Sequence, residues 1–577
     1  MPNSSAEAFE DGVDLQIGLL QAHVPQDQTS WTGYPFPRLQ VSKEQEMRTF
    51  RTIILENPFL RATVLPGMGG RIASLHDKRT NTELLRRHPL LEPQAGGRRG
   101  AFVREGIQIV LDGEERLNAM GNMACQIEHA TEESEDAAVW LAETHTGCGL
   151  SFHARISMPH DRAELRIEVR VLNRWLRPQS YDAGLRFYLG EGELEGRAFY
   201  SRSRKAGVAL FSEQVFDGAR VDGEFLEYTR FGTPREIAPR QVDNWVVRIL
   251  PISGLPCVGG ASSEAAASID EGVLRVQVSE QKLGHKLLLL TVDGKTLEAP
   301  VDLYPENILE IPLGDLRPVE VALRSPAKKD ILRFSALGAA TPGSSLHAVE
   351  GARLTFAMSN DDLLRASFEA GSRHVAHTML GIKALREKRF AAAGGAFEQA
   401  LNYNADDHLL WWGKAMAARL GEEDNEAELL NAHYLAPLEP ALRAESYLSQ
   451  PLNLDPEPSR LLAPLAENPE EFIEVACLLI EAGLFDQASR WIDEALRHRE
   501  MAMLRYLMAY CLLTATKLNA EASEQIRLAV QSSLAPPFPY RDVERDAITL
   551  LASTFPEDPH LRVLNGWVGE RSNGVPE

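Results

Sequence analysis

The chain has few cysteines, and no two of them form a CxxC pair. Five are scattered along 577 residues: Cys125, Cys148, Cys257, Cys477 and Cys511. An odd and sparse count argues against a disulfide framework and is typical of reduced thiols in a cytoplasm. Cysteine and histidine also lack the close spacing of zinc ligands in the sequence, so we expect neither a metal ion nor another cofactor.

Long apolar runs and an excess of basic residues are missing too. No apolar segment reaches the ~18 residues that span a bilayer, and the polar, acidic start of the chain lacks the features of a secretory signal. The net charge is −22, from 82 acidic and 60 basic residues. This charge would repel nucleic acid backbones and anionic lipids. We therefore expect a cytoplasmic protein that binds neither nucleic acid nor membrane.

Before about residue 340 the sequence predicts many short β-strands separated by Gly, Pro, Asn and Asp. The alternation is clearest in residues 163–173, where one face carries Leu165, Ile167, Val169 and Val171. This pattern predicts antiparallel strands in a sandwich. A stretch rich in Pro, Gly, Ser and Ala near residues 250–265 separates a second unit. Residues 251–336 then predict a small immunoglobulin-like sandwich of about six strands.

After a predicted linker at residues 337–360, the apolar period becomes helical, and residues 361–577 predict an all-α repeat array. The first unit contains the small and large side chains of a tetratricopeptide repeat: Leu380, Gly381, Ala384, Ala393, Phe397 and Ala400. A second unit follows after ~34 residues, the length of such a repeat, and two more begin near Phe472 and Tyr506. Concave surfaces of these arrays bind peptides, so we expect a partner protein or peptide there.

A strand that runs into a glycine-rich turn is the most distinctive segment of the chain. It is NPFLRATVLPGMGGR, residues 57–71, in which Gly67, Gly69 and Gly70 permit a left-handed backbone. The pattern alone predicts a hairpin that ends in a surface arginine. The turn lies between strands, so it does not suit the phosphate-binding loops that precede a helix.

This segment resembles a bacterial galactose-mutarotase-like domain of unknown function that is fused to an accessory β-sandwich and tetratricopeptide repeats. Further stretches carry the resemblance: GYPFP at 33–37, HDKRTN at 76–81, RGAFVREGIQ at 99–108, and Tyr228 after Glu227. The resemblance implies that residues 1–250 form an all-β supersandwich with a sugar cleft on one concave face. It also implies a saccharide ligand.

Three residues are the principal candidates for that cleft. Glu227 is the candidate general base. The alternative interpretation is that Glu227 is an exposed glutamate of a strand. Arg71 either holds a sugar hydroxyl or carboxylate, or forms a structural salt bridge. Gln108 stands where related domains tend to have glutamate; an amide binds hydroxyl groups but does not exchange protons at neutral pH.

Four further polar residues are secondary candidates. Glu105 either substitutes for the missing glutamate or is structural. Asp182 and Arg186 lie where relatives tend to have histidine or asparagine, and this chain has no histidine there. His145 is either a surface turn residue or an acid. The departures at Gln108 and in this segment weaken the case for an enzyme.

Two hypotheses follow. In the first, the chain binds or processes carbohydrate, by acid/base chemistry at an anomeric centre if it is an epimerase or glycoside-hydrolase-like enzyme. In the second, the β part is an inactive scaffold and the helical repeats recruit a partner peptide. If Arg71, Gln108 and Glu227 lie together in one cleft, the first hypothesis is favoured. If apolar side chains fill that face, the second is favoured.

Overall fold

A computed structural model shows a β-rich part followed by an all-α part. The described residues are 6–24, 34–86, 90–95, 101–111, 122–131, 136–144, 147–190, 192–195, 198–212, 216, 218–222, 225–230, 234–335, 354, 356–369, 372–449, 462, 465, 468–532, 534 and 537–569. Within these ranges, no helix is both long and apolar enough to cross a lipid bilayer.

Two large sheets make up most of the β-rich part. The first has ten strands: β19 (Gly218–Asp222), β20 (Phe225–Thr229), β15 (Ala183–Tyr188), β9 (Ile107–Leu111), β4 (Arg71–Asp77), β3 (Leu60–Leu65), β2 (Arg38–Glu56), β1 (Glu7–His23) and β6 (Leu90–Leu91) in spatial order, with β5 (Thr82–Glu83) beside β4. The second has eight: β10 (Ala124–Glu128), β11 (Ala137–Glu143), β12 (Leu150–Met158), β13 (Leu165–Asn173), β22 (Val242–Ser253), β18 (Ala206–Phe211), β17 (Ala198–Ser201) and β16 (Glu193–Glu195). Two small ribbons pair β14 (Gln179–Tyr181) with β21 (Arg235–Ile237), and β7 (Gln94–Ala95) with β8 (Ala101–Phe102).

The two large sheets pack face to face over one shared apolar core. The first sheet contributes Ile53, Val64, Leu75, Leu185 and Phe187, and the second contributes Phe152, Ile167, Val169, Trp245 and Val247. The alternation predicted for β13 is confirmed, because its apolar side chains are buried in this core. Each large apolar side chain that is fully buried contributes about 1.5–3 kcal/mol. This sandwich of two large sheets is the predicted architecture.

A second, smaller sandwich follows. Its sheets are β23 (Gly260–Ala261), β24 (Ala265–Asp270), β25 (Val273–Val278) and β28 (Leu309–Pro312), and β27 (Thr296–Leu303), β26 (Lys282–Thr291), β29 (Pro318–Arg324) and β30 (Asp330–Ser335). It has its own core around Leu274, Leu287 and Val321. The small sandwich has eight strands, more than the about six that were predicted, and its shortest strand, β23, has too few residues to show an alternating pattern.

The all-α part contains twelve helices within the described residues. They are α1 (Asn360–Ala366), α2 (Arg373–Arg386), α3 (Phe390–Leu401), α4 (His408–Leu420), α5 (Glu426–Leu435), α6 (Pro440–Leu448), α7 (Glu470–Glu481), α8 (Phe485–His498), α9 (Ala502–Cys511), α10 (Asn519–Ala529), α11 (Asp542–Thr554) and α12 (Pro559–Gly569). A π-turn at Leu512–Thr516 extends α9. The predicted fold class, all-β followed by all-α, is confirmed, whereas the predicted domain borders stay a prediction.

The packing of α2, α3 and α4 explains why the repeat pattern needs small residues. The Phe397 ring of α3 lies between Gly381 of α2 and Gly413 of α4. A Cβ atom added at Gly381 would lie 2.7 Å from this ring, and one at Gly413 would lie 2.9 Å from it. Glycine at both positions therefore lets the three helices approach around one aromatic side chain.

Replacing Gly381 with alanine is expected to destabilise the helical part by about 1–3 kcal/mol, because the added methyl overpacks the core. Gly395→Ala is the matched control in α3, since nothing lies within 4 Å of its added Cβ. The control should gain about 0.5–1 kcal/mol from helix propensity. Urea unfolding monitored by circular dichroism compares the two variants, and a stable Gly381→Ala protein would contradict this account of the packing.

The helical part packs against the outer face of the second large sheet. Leu172 of β13 belongs to the main core of the helices, and Arg240 forms a buried ion pair with Glu481 of α7. The GYPFP segment makes a separate contact: the Tyr34 hydroxyl donates to the Pro539 carbonyl, and the two rings of Tyr34 and Phe538 stack at 6.4 Å. Segments far apart in the sequence thus fix the helices to the β-rich part.

Candidate functional site

Three polar side chains lie next to one another on the outer face of the first large sheet. Arg186 of β15 is paired in register with Gln108 of β9 on one side and with Glu227 of β20 on the other. Their apolar neighbours Ile107, Leu185, Phe187 and Leu226 face the shared core. Alternation along a strand therefore sends Gln108, Arg186 and Glu227 to the opposite face. We call these three residues the polar row.

The centre of the polar row is a buried ion pair. The Arg186 Nε–H donates to Glu227 Oε2 at 2.7 Å, and an Nη2–H reaches the same oxygen. The side chains are 4% and 9% exposed, and the guanidinium carbon lies 4.8 Å from the centre of the Phe225 ring. Both hydrogen bonds use Oε2, so the second carboxylate oxygen, Oε1, is not engaged by Arg186. Glu227 is thus an ion-pair partner, not the exposed strand glutamate of the alternative interpretation.

Within the described part of the chain, the Gln108 amide forms hydrogen bonds through its NH₂ group and not through its oxygen. Its Nε2–H donates to the Val103 carbonyl at 2.7 Å, whereas its Oε1 is buried and has no hydrogen-bond partner among the described residues. An unsatisfied buried acceptor costs about 1–3 kcal/mol. The arrangement suits a hydroxyl group or a water molecule that donates to Oε1.

Arg71 joins the same region through backbone carbonyls. Its Nε–H donates to Met68 O at 3.0 Å, and Nη1–H groups donate to Val103 O at 3.1 Å and Glu105 O at 3.2 Å. Burial lowers the pKa of Arg71 to about 10, while the nearby Glu105 carboxylate acts in the opposite direction. Arg71 and Gln108 therefore share the Val103 carbonyl, and together they hold residues 103–105 against the sheet.

Glycines make this close arrangement possible. Gly69 and Gly70, with φ of 72° and 66°, turn the chain between β3 and β4 and so place Arg71 at the first position of β4. Gly106 has φ of 71°, and a Cβ at this position would lie 2.3 Å from the Ile72 carbonyl oxygen. The glycine-rich motif thus positions a buried arginine, not the surface arginine that the pattern alone predicted.

The other predicted site residues lie around the polar row or outside the residues that the structure describes. Glu105 is buried, and its backbone carbonyl accepts from Arg71. Asp182 is buried just before β15, whose pairing with β9 begins at Ala183, so Asp182 lies beyond the end of this strand and is not a member of the polar row. His145 lies outside the described residues. The roles of all these residues stay predictions.

A second polar cluster, which the sequence did not indicate, lies between the second large sheet and the helices. His153 of β12 faces His408 at the start of α4 and Glu439 just before α6. Arg174, after β13, donates to Glu439 and to Glu474 of α7. The guanidinium holds the pKa of Glu439 well below its usual range against the effect of burial, and burial lowers the pKa of His408 to about 4.

Residues 31–182 match the family model described as Domain of unknown function (DUF5107). This match confirms the resemblance inferred from the glycine-rich motif. In fold the chain is similar to a TPR-domain containing protein from Parabacteroides distasonis, at 14% identity and a TM-score of 0.37, over 92% of this chain and 97% of that one. It is also similar to a galactose mutarotase-like protein from Clostridium acetobutylicum, at 9% identity and a TM-score of 0.26, over 36% of this chain and 96% of that one. A putative aldose 1-epimerase from Klebsiella pneumoniae matches 35% of this chain and 80% of its own, at 9% identity and a TM-score of 0.28.

Proposed function

We propose that the polar row binds a saccharide and that the β-rich part is a carbohydrate-binding module. The observation that carries this proposal is the buried Oε1 of Gln108, which has no hydrogen-bond partner among the described residues. It lies one strand away from an arginine and two strands away from a carboxylate oxygen that Arg186 does not engage. Acceptors held at fixed positions beside a charged donor suit the several hydroxyl groups of a sugar ring.

Binding fits the row better than catalysis does. A glycoside hydrolase needs two carboxyl groups about 5–9.5 Å apart, one of which acts as a proton donor. The polar row contributes one carboxylate, and Arg186 binds its Oε2. Gln108, at the position where relatives tend to have glutamate, cannot supply the second, and Glu105, the other candidate for it, is buried beside Arg71 and is not a member of the row. We therefore expect no turnover of aryl glycosides and no acceleration of anomer interconversion by this chain.

The proposal predicts that a saccharide raises the melting temperature of the full chain. A ligand present at 100 times its dissociation constant adds about 2.7 kcal/mol to the free energy of unfolding. In a panel of mono- and oligosaccharides, we expect at least one to shift the melting temperature. Gln108→Leu should weaken the binding of that sugar by about 10-fold, because one buried hydrogen bond between protein and ligand is lost.

Gln277→Leu is the matched control for this test. Gln277 is also a buried strand glutamine, but it lies in the small sandwich, where its amide contacts the backbone of Ser253. Both variants lose a buried amide, so both should lose stability, yet only Gln108→Leu should show a smaller ligand-induced shift. Equal loss of the shift in both variants, or no shift with any saccharide, would contradict the proposal.

We propose in addition that the helical repeats bind a partner peptide. Leu430 and Tyr434 of α5 are 71% and 80% exposed and lie one turn apart, so they form one apolar face. Exposed apolar side chains on a helix face are typical of protein contacts. A peptide array probed with the full chain, and with Leu430→Ala/Tyr434→Ala, tests this; spots that the double variant binds equally well would contradict a peptide site at α5.

A further inference from the structure

The second polar cluster has the geometry of a metal site. The Nε2 atom of His408 lies 3.1 Å from Glu439 Oε2, and the Nε2 atom of His153 lies 3.6 Å from the same oxygen. One potential ligand atom from each of the three residues lies within 4.8 Å of the other two. In a tetrahedral zinc site with bonds of about 2.0–2.1 Å, neighbouring ligand atoms lie about 3.3–3.4 Å apart. Small side-chain rotations would therefore bring all three atoms around one ion.

We propose that His153, His408 and Glu439 bind one divalent transition-metal ion of the zinc class, which links the second large sheet to the helical repeats. His153 comes from β12, whereas His408 and Glu439 come from α4 and from the residue before α6. Two imidazoles and one carboxylate suit Zn²⁺ better than Mg²⁺ or Ca²⁺, which prefer oxygen ligands. Three protein ligands leave the fourth tetrahedral position for water.

Unpartnered nitrogen atoms provide a second, independent observation. His153 is 1% exposed, and neither of its ring nitrogens has a hydrogen-bond partner within the described ranges. A buried imidazole normally donates from one nitrogen and accepts at the other, and leaving both unsatisfied is costly. Coordination through Nε2 would satisfy one of them. The cluster is therefore incomplete as a hydrogen-bond network, and an ion would engage a nitrogen that is otherwise unsatisfied.

Arg174 is the charged group next to the cluster, and it shares the Glu439 carboxylate with the proposed ion. Arg174 donates to both oxygens of Glu439, at 2.8 Å to Oε2 and 3.0 Å to Oε1. An ion on Oε2 would weaken the first contact and leave the second. Glu474, which accepts from Arg174 Nε at 2.6 Å, keeps the guanidinium paired.

Metal titration of the untagged full chain tests the proposal. After treatment with a chelator and dialysis, the protein is titrated with Co²⁺ and Zn²⁺ and analysed for metal content. We expect one tightly bound ion per chain and, for Co²⁺, the visible absorption of a tetrahedral site. His153→Gln should weaken binding by at least about 100-fold, since loss of even an indirect partner of a ligand costs about 10–100-fold.

His374→Gln is the matched control. His374 of α2 is also largely buried, with an unpartnered Nε2, but it lies outside the cluster. It should keep the metal content and the Co²⁺ spectrum of the natural chain. If His153→Gln fails to fold, the stoichiometry and Co²⁺ spectrum of the unmodified chain decide alone. No bound ion at saturating metal, or equal loss of metal in both histidine variants, would overturn the proposal.

Discussion

Replacing Arg174 with methionine is expected to lower the free energy of unfolding by about 3–5 kcal/mol. Arg174 is 3% exposed and lies where the second large sheet meets the helices. It donates Nε–H to Glu474 at 2.6 Å and two further hydrogen bonds to Glu439. Methionine keeps most of the volume but leaves Glu439 without its guanidinium partner in a region closed to water. Breaking such a pair leaves an uncompensated buried charge, and this charge is the source of the cost.

Arg177→Met is the matched control for Arg174→Met. Arg177 lies in the same segment and pairs with Asp542 of α11 at 3.2 Å, but both side chains are about half exposed. Solvent screens that pair, so its loss should cost less than about 1 kcal/mol. If the slope of the urea unfolding transition is unchanged, the shift of its midpoint gives the change in the free energy of unfolding for each variant. Equal effects of the two substitutions would show that the buried network around Arg174 does not hold the two parts together.

The sequence predicted those features that depend on local periodicity. The alternation in β13 and the small residues around Phe397 each report a face that must be buried, and both faces are buried in the structure. Very short elements are harder to predict, because two residues contain no measurable period. The small sandwich accordingly has eight strands where about six were expected, and its strand β23 has only two residues.

The candidate site was predicted through family resemblance, and the structure brings Gln108, Arg186 and Glu227 together. Their contacts could not be predicted, because the pairing of β9, β15 and β20 decides which side chains are neighbours. Arg186 and Glu227 were both named as candidates, but nothing in the sequence indicates that they pair. The contact of Arg71 with a ligand or a carboxylate stays a prediction; the structure adds that Arg71 donates to backbone carbonyls that only the folded chain brings near.

The cluster around Glu439 was not predicted because its members come from both parts of the chain. His153 lies on a strand of the β-rich part, and its partners His408 and Glu439 lie in the helical part. No sequence spacing relates such residues. The one local signal is that His153 stands on the face of β12 opposite to Phe152 and Ile156, which a free-standing sheet would expose to water.

A second large effect is expected from Glu470, which should make the stability depend on pH. Burial raises the pKa of Glu470 from 4.5 to about 8, with Arg541 acting against this shift and Glu544 adding to it. One carboxylate oxygen, Oε2, has no hydrogen-bond partner within the described part of the chain. The folded state therefore binds a proton more tightly than the unfolded state does. This contribution to stability is complete below pH 4.5 and is lost as the pH rises to about 8.

Glu470→Gln should remove this pH dependence, because the amide is uncharged throughout. At about 1.36 kcal/mol per pKa unit, the variant should be more stable than the natural chain by about 3–5 kcal/mol near pH 8, and by little near pH 5. Urea midpoints at several pH values between these limits measure the difference. Glu521→Gln is the control: Glu521 also lies in the first turn of a helix, α10, but is exposed. Because an exposed carboxylate stays hydrated in both states, the control should follow the natural chain at every pH. A constant offset of Glu470→Gln across the pH range would mean that Glu470 is ionised in the folded state and that the change acts through packing.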